Sequence, residues 1–207
     1  MRRFLQTLTK EENFAFNKLS TPKKIQDFLE SLPVNFERGG DTLMSPRRLL
    51  RQKKAHCFEG ALFAAAVFLY HGEPPLILDL KTAPPDDHHV VALFRRRRLW
   101  GAVSKTNHAV LRYRDPVYRS PRELAMSYFH EYFLDNGKKT LRSYALFNLN
   151  RVKRNWITDE KDLWYVDRTL DRAKHAPILP GKGARILRRA EPIERRAGKL
   201  VVWKKRL

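Results

Sequence analysis

From Cys57 to Tyr70 the chain reads CFEGALFAAAVFLY, a stretch of helical length that is apolar nearly all round. No face of such a helix is at home in water, so the pattern predicts a buried element with other structure packed about it. Its first residue is the one cysteine in a chain of 207 residues, and a histidine stands directly before it. Whatever fold encloses this helix also presents a thiol at its N-terminal end.

The flanking sequence supplies candidates for the enclosure. Thr21-Pro22, Ser45-Pro46 and Ser120-Pro121 share one arrangement. A hydroxyl caps the helix, and proline takes the first position, where its missing N–H costs nothing. The first pair opens PKKIQDFLESL, with Ile25, Phe28, Leu29 and Leu32 at helical spacing. Ahead of it, Thr9 and Glu12 form a capping box for a short helix ending near Leu19. The third opens PRELAMSYFHEYF, which stops at Asp135-Asn136-Gly137 and carries Tyr128, Phe129, Tyr132 and Phe133 as a core face. After the apolar helix, PPLILDL, HHVVALF and LWGAVS read as strands. The arginine run at residues 95–98 forms the tip between the last two. Farther on, ITDEKDLWYVDRTLDRAKH reads as a helix capped by Thr158 or Asp159, and ARILRRAEPI with KLVVWKK as a terminal hairpin. The fold class expected is α+β, a buried nucleophile helix packed on an antiparallel sheet.

Composition limits the alternatives. With 43% apolar and 11% aromatic residues the chain is too greasy to remain disordered, and its length suits one domain. A lone cysteine excludes an internal disulfide framework, and no paired Cys/His spacing marks a structural zinc site. The N-terminus begins like a leader, but Thr7, Lys10, Glu11 and Glu12 interrupt it, and no apolar run is long enough to span a bilayer. These features together place the protein in a reducing cytoplasm. The net charge of +20 would suit nucleic acid or an acidic protein. Residues 181–207 carry ten Lys/Arg against two Glu, or +8 of that total.

The chemistry centres on Cys57. A helix N-terminus stabilises a thiolate through unpaired backbone N–H groups and the positive end of the dipole, and His56 adds positive field. A base has to come from another element, and His88-His89 opens the second strand. Successive strand residues point to opposite faces, so one of the two can face the helix; His89 is expected to do so, on the face of Val91 and Leu93. A hairpin symmetric about Arg96-Arg97 sets His89 opposite Ser104, which would orient the imidazole, with Asn107 as the other candidate for that third position. Asp86, Asp87, His88, His89 and His56 or His108 offer a metal set instead, although adjacent strand residues diverge. His71 reads as a helix C-terminal residue, and His130 and His175 as surface or satisfied ones.

The stretches SPRRLLRQKKAHCFEGALFAAA and HHVVALFRRRRLWGAVS resemble the transglutaminase-like superfamily, related to the papain-like cysteine proteases. The resemblance spans about residues 45 to 107. It implies a transglutaminase-like or papain-like core over residues 1–180, with 181–207 a basic hairpin packed on it and Trp100 near the site. It further implies Cys57 as nucleophile and His89 as general base for acyl chemistry on a peptide, amide or ester, by hydrolysis or transfer, without metal or cofactor. Where the family carries Asp after the Trp, this chain carries Ser104, which accepts a hydrogen bond but brings no charge. A fold of this kind lacking catalysis would be a basic module binding nucleic acid or an acidic protein.

Overall fold

The computed structural model describes residues 6–181 and 183–204. The start of the leader-like stretch, residues 1–5, and the end of the expected terminal hairpin, residues 205–207, lie outside them. The described chain is α+β, with seven α-helices and a six-stranded antiparallel sheet. Helices α1 (Lys10–Lys18), α2 (Pro22–Ser31), α3 (Pro46–Gln52) and α4 (Cys57–Tyr70) come first. Strands β1 (Leu76–Thr82), β2 (His89–Arg96), β3 (Leu99–Val103) and β4 (Arg114–Tyr118) follow. The rest comprises α5 (Pro121–Ser127), β5 (Leu141–Asn148), α6 (Trp164–Asp171), β6 (Ala176–Pro177) and α7 (Pro192–Gly198). Thr9, Thr21, Ser45 and Ser120 each accept the N–H three residues on, which fixes where α1, α2, α3 and α5 begin.

Strand order is β4-β3-β2-β1-β5-β6, and both faces of the sheet are covered. On one face α4 lies against Ile77, Val90, Ala92, Phe94 and Val103, and α1, α2 and α3 close over its far side. That double cover is why α4 is apolar all round: every residue from Phe58 to Leu69 is buried. Phe63 sits between Phe16, edge-on, and Phe28, tilted, at centroid distances of 5.6 and 5.1 Å. A fully buried Phe or Leu contributes roughly 2 kcal/mol, so the helix is held by tertiary packing more than by propensity. On the other face α5 and the segment after it cover Leu78, Leu80, Val91, Leu93 and Ala102. Gly60 lets α4 approach the loop after β3, since a Cβ there would lie 2.5 Å from Lys105 Cβ.

Four expectations need correction. The β2–β3 turn is Arg97-Arg98, both at positive φ (47° and 70°), and the ladder pairs Ala92 with Val103. Two residues of positive φ form the hairpin turn that matches strand twist, normally the province of Asn and Gly, so arginine gave no signal there. The register is therefore displaced by two from the one that set His89 against Ser104. The terminal hairpin is absent from the described residues: Glu191, Pro192 and Glu194 form a capping box with proline at the first position and start α7, while only Val201 bridges back, to His108. The helix expected from Thr158 begins at Trp164, because Asp159 accepts the Lys161 N–H and Asp162 serves Leu43 and Arg48. The helix expected to run on towards Phe133 ends as α5 at Ser127, followed by a 3-10 turn over Phe129–Glu131.

Among the described residues no helix is long and apolar enough to cross a membrane.

Candidate active site

Cys57 is the first residue of α4, and His56 caps that helix with an imidazole in place of the usual hydroxyl. The His56 Nδ1 accepts the Phe58 N–H at 3.3 Å, and Nε2 donates to Thr42 O at 2.8 Å. Glu59, three residues on, accepts the His56 N–H at 3.0 Å and completes a capping box. The Glu59 carboxylate is fully buried and also accepts from Asn35 Nδ2, Thr42 Oγ1 and Met44 N at 3.1–3.2 Å. Burial pushes its carboxyl up, while His56 and these donors act the other way. Two carboxylates, Glu59 and Glu37, stand 3.5 Å from His56 Nε2.

His89 is the first residue of β2 and is 5% exposed. It shares a face with Val91 and Leu93, as expected, yet that face packs on α5, and α4 covers the opposite one. The imidazole, at the start of β2, lines one cavity with the thiol, in the first turn of α4. Its Nε2 lies 2.9 Å from Ser104 Oγ, and the Ser104 hydroxyl donates to Leu111 O at 2.6 Å. A serine has one proton to give. With that proton committed to Leu111, the hydroxyl can only accept from His89, so Nε2 carries the hydrogen and Nδ1 remains for the sulfur. Ser104 reaches His89 despite the displaced register, because a shift of two keeps every side chain on its original face.

The turn behind Ser104 is unusual. Leu111 adopts φ 60°, in the left-handed region that a leucine occupies at a cost of about 1–2 kcal/mol. This conformation aims the Leu111 carbonyl at Ser104 and its N–H at Glu131 Oε2, 2.6 Å away; Glu131 in turn pairs with Arg114 at 2.5 Å. Gln26, buried on α2, accepts the Ser104 N–H and donates to the Ser104 carbonyl.

Electrostatics favour an ionised thiol. Burial pushes the Cys57 thiol up, but hydrogen bonding from His56 and His89, with their positive charge, overrides it and holds the thiol at about 5. Burial likewise opposes a charged His56, and the Cys57 sulfur together with Glu59 and the Thr42 carbonyl reverse that to about 10. Between those limits the pair is thiolate and imidazolium. In the charged form His56 Nδ1 carries a proton and no longer accepts the Phe58 N–H.

A cavity of about 460 Å³ opens onto the thiol, lined among others by His56, Cys57, His89, Lys105, Tyr132 and Arg195. His88 is exposed, its Nδ1 accepting the Thr82 N–H at 3.2 Å, and burial of the ring edge together with Lys81 lowers its pKa. Asn107 is committed elsewhere: Nδ2 donates to Trp203 O at 2.9 Å and Oδ1 accepts the Trp203 N–H at 2.8 Å. Trp100 does not line the cavity; it lies in the hairpin under Arg95, 4.8 Å from the guanidinium. Asp86 is tied to Thr140, and no three His, Cys, Asp or Glu side chains among the described residues form a metal set. His175 pairs with buried Asp79 at 3.0 Å, on a different part of β1.

Sequence reasoning missed Glu59 and Thr42, which hold His56, and Asn35, which donates to both of them. The spacing of His56 and Glu59 was a legible capping box, obscured because histidine seldom fills the cap. No protein-family model matches the chain, and a search of curated proteins gave no match.

Proposed function

We propose that this protein is a cysteine-dependent acyl enzyme with a transglutaminase-like core, acting on a peptide, amide or ester carbonyl by hydrolysis or transfer. The observation that carries this is an acidic thiol whose neighbouring imidazole is fixed in one tautomer by Ser104, leaving its other nitrogen for proton transfer. The Cys57 thiolate attacks the carbonyl carbon. His89, which has taken the thiol proton onto Nδ1 as the thiolate formed, then delivers that proton to the departing amine or alcohol as the thioester forms. Acting in reverse, it takes a proton from the water or amine that resolves the thioester. His56, backed by Glu59, supplies the positive charge that keeps the sulfur ionised, a role that an Asp behind His89 would otherwise share.

Treatment with iodoacetamide at neutral pH, followed by mass mapping, tests the thiol; a p-nitrophenyl acetate burst tests acylation. Labelling no faster than for free cysteine, with no burst, would withdraw the proposal. The competing reading is a basic binding module. Of the arginine run, Arg96 is bound to Glu73 at 2.8 Å, while Arg95, lying over Trp100, and Arg97 and Arg98 are exposed. Retention on RNA or DNA that falls steeply with salt would favour that reading.

A further inference from the structure

Two tyrosines follow α5 into the interior, and their hydroxyls fare differently. Tyr128 donates to Arg112 O at 3.1 Å. Tyr132 is 3% exposed, and its buried hydroxyl has no hydrogen-bond partner. A buried donor left unpaired costs about 1–3 kcal/mol, so phenylalanine would serve packing better. The ring lines the same cavity as Cys57 and His89. Burial and then the charge of the Cys57 sulfur hold the Tyr132 phenol well above its ordinary value, so it stays a donor while the sulfur is ionised. A second donor lies close by, for the Cys57 N–H is the first of α4 and no carbonyl of that helix can reach it. Two donors without acceptors thus share a cavity with a nucleophile whose attack creates an acceptor.

We propose that the Tyr132 hydroxyl, together with the Cys57 N–H, donates to the oxyanion formed when the Cys57 thiolate adds to a substrate carbonyl. This rests on the acyl chemistry proposed above. Addition forms the C–S bond and moves the carbonyl π pair onto oxygen, where Tyr132 donates a hydrogen bond and keeps its proton. Collapse returns the pair, breaks the bond to the leaving group, and that group takes its proton from His89; nothing is oxidised or reduced. Removing one such donor typically slows the step by about 10²–10³-fold.

Two reactions of the same thiol separate this role from a structural one. Alkylation by iodoacetamide occurs at a saturated carbon and develops no oxyanion, whereas acylation by p-nitrophenyl acetate does. Tyr132→Phe should slow the acylation burst about 10²-fold or more while leaving the alkylation rate and its pH profile as in wild type. Its melting temperature should be unchanged or higher, because an unpaired hydroxyl is gone. An undiminished burst overturns the assignment, and so does an equal fall in both reactions, which would mean that Tyr132 acts on the thiol itself. Wild-type protein giving neither burst nor fast alkylation would remove the acyl reading on which the assignment stands.

Discussion

Gln26 brackets the backbone of Ser104: its side-chain oxygen accepts the Ser104 N–H at 2.9 Å and its nitrogen donates to the Ser104 carbonyl at 2.8 Å. Neither strand partner of β3 serves this residue, since the ladder with β2 ends at Val103. A side chain from α2 therefore stands in for a strand and fixes the residue that fixes His89. Gln26→Met, close in volume, should destabilise the fold by about 2–4 kcal/mol by stranding two buried backbone groups. Urea denaturation measures the loss, and a change below 0.5 kcal/mol, within the range of a surface substitution, would contradict the bracket's importance.

The thiol should titrate low. Iodoacetamide alkylation of Cys57 is expected to rise with a midpoint near pH 5 and to be flat through neutrality, because the folded pKa lies at about 5. The sign for each histidine is the same: removing His56 or His89 removes a group that lowers the thiol, so His56→Gln and His89→Ala should each move the midpoint upward. His88→Ala should not. A wild-type midpoint near 9, the unperturbed value, would show that the thiolate is not favoured.

Ser104 is both acceptor and donor, and its substitutions should sort by that requirement. An aspartate can accept from His89 but would set a carboxylate against the Leu111 carbonyl, to which Ser104 now donates at 2.6 Å. An asparagine can do both. Ser104→Asn should therefore keep fast alkylation and acylation, whereas Ser104→Asp should lose stability and Ser104→Ala should lose acylation with the fold intact. Superior activity in the Asp variant would show that charge matters more at this position than the Leu111 contact.

Gly60→Ala tests the approach of α4 to the loop after β3. Helix propensity alone would make alanine better by about 1 kcal/mol. The new Cβ would meet Lys105 Cβ at 2.5 Å, an overlap that costs about 1–3 kcal/mol to relieve. A net fall in melting temperature is expected, and a rise would mean that the loop yields freely.

The contact between His89 and Ser104 was legible because it depends on a robust signal, the period of two in strands. Alternation survives an even slip, so Ser104 stayed on the side of His89 although the turn is Arg97-Arg98. The face assigned to α4 was not legible, since β2 is apolar on both sides and periodicity cannot say which layer lies where. Tyr132 reads as one more core aromatic beside Tyr128, and only the partner of each hydroxyl distinguishes them. The valines at 201 and 202 suggested a strand, but a strand needs a neighbour, and Val201 finds a single bridge to His108.

Leu111 connects the interior to the periphery. Its carbonyl anchors Ser104, and its N–H is held by Glu131, whose other oxygen grips Arg114. The aim of the His89 ring thus hangs, through Ser104 and Leu111, on an ion pair near the solvent boundary. With side chains only 14% and 29% exposed, that pair is largely shielded from electrolyte, so the ring is aimed by a tether that salt scarcely loosens.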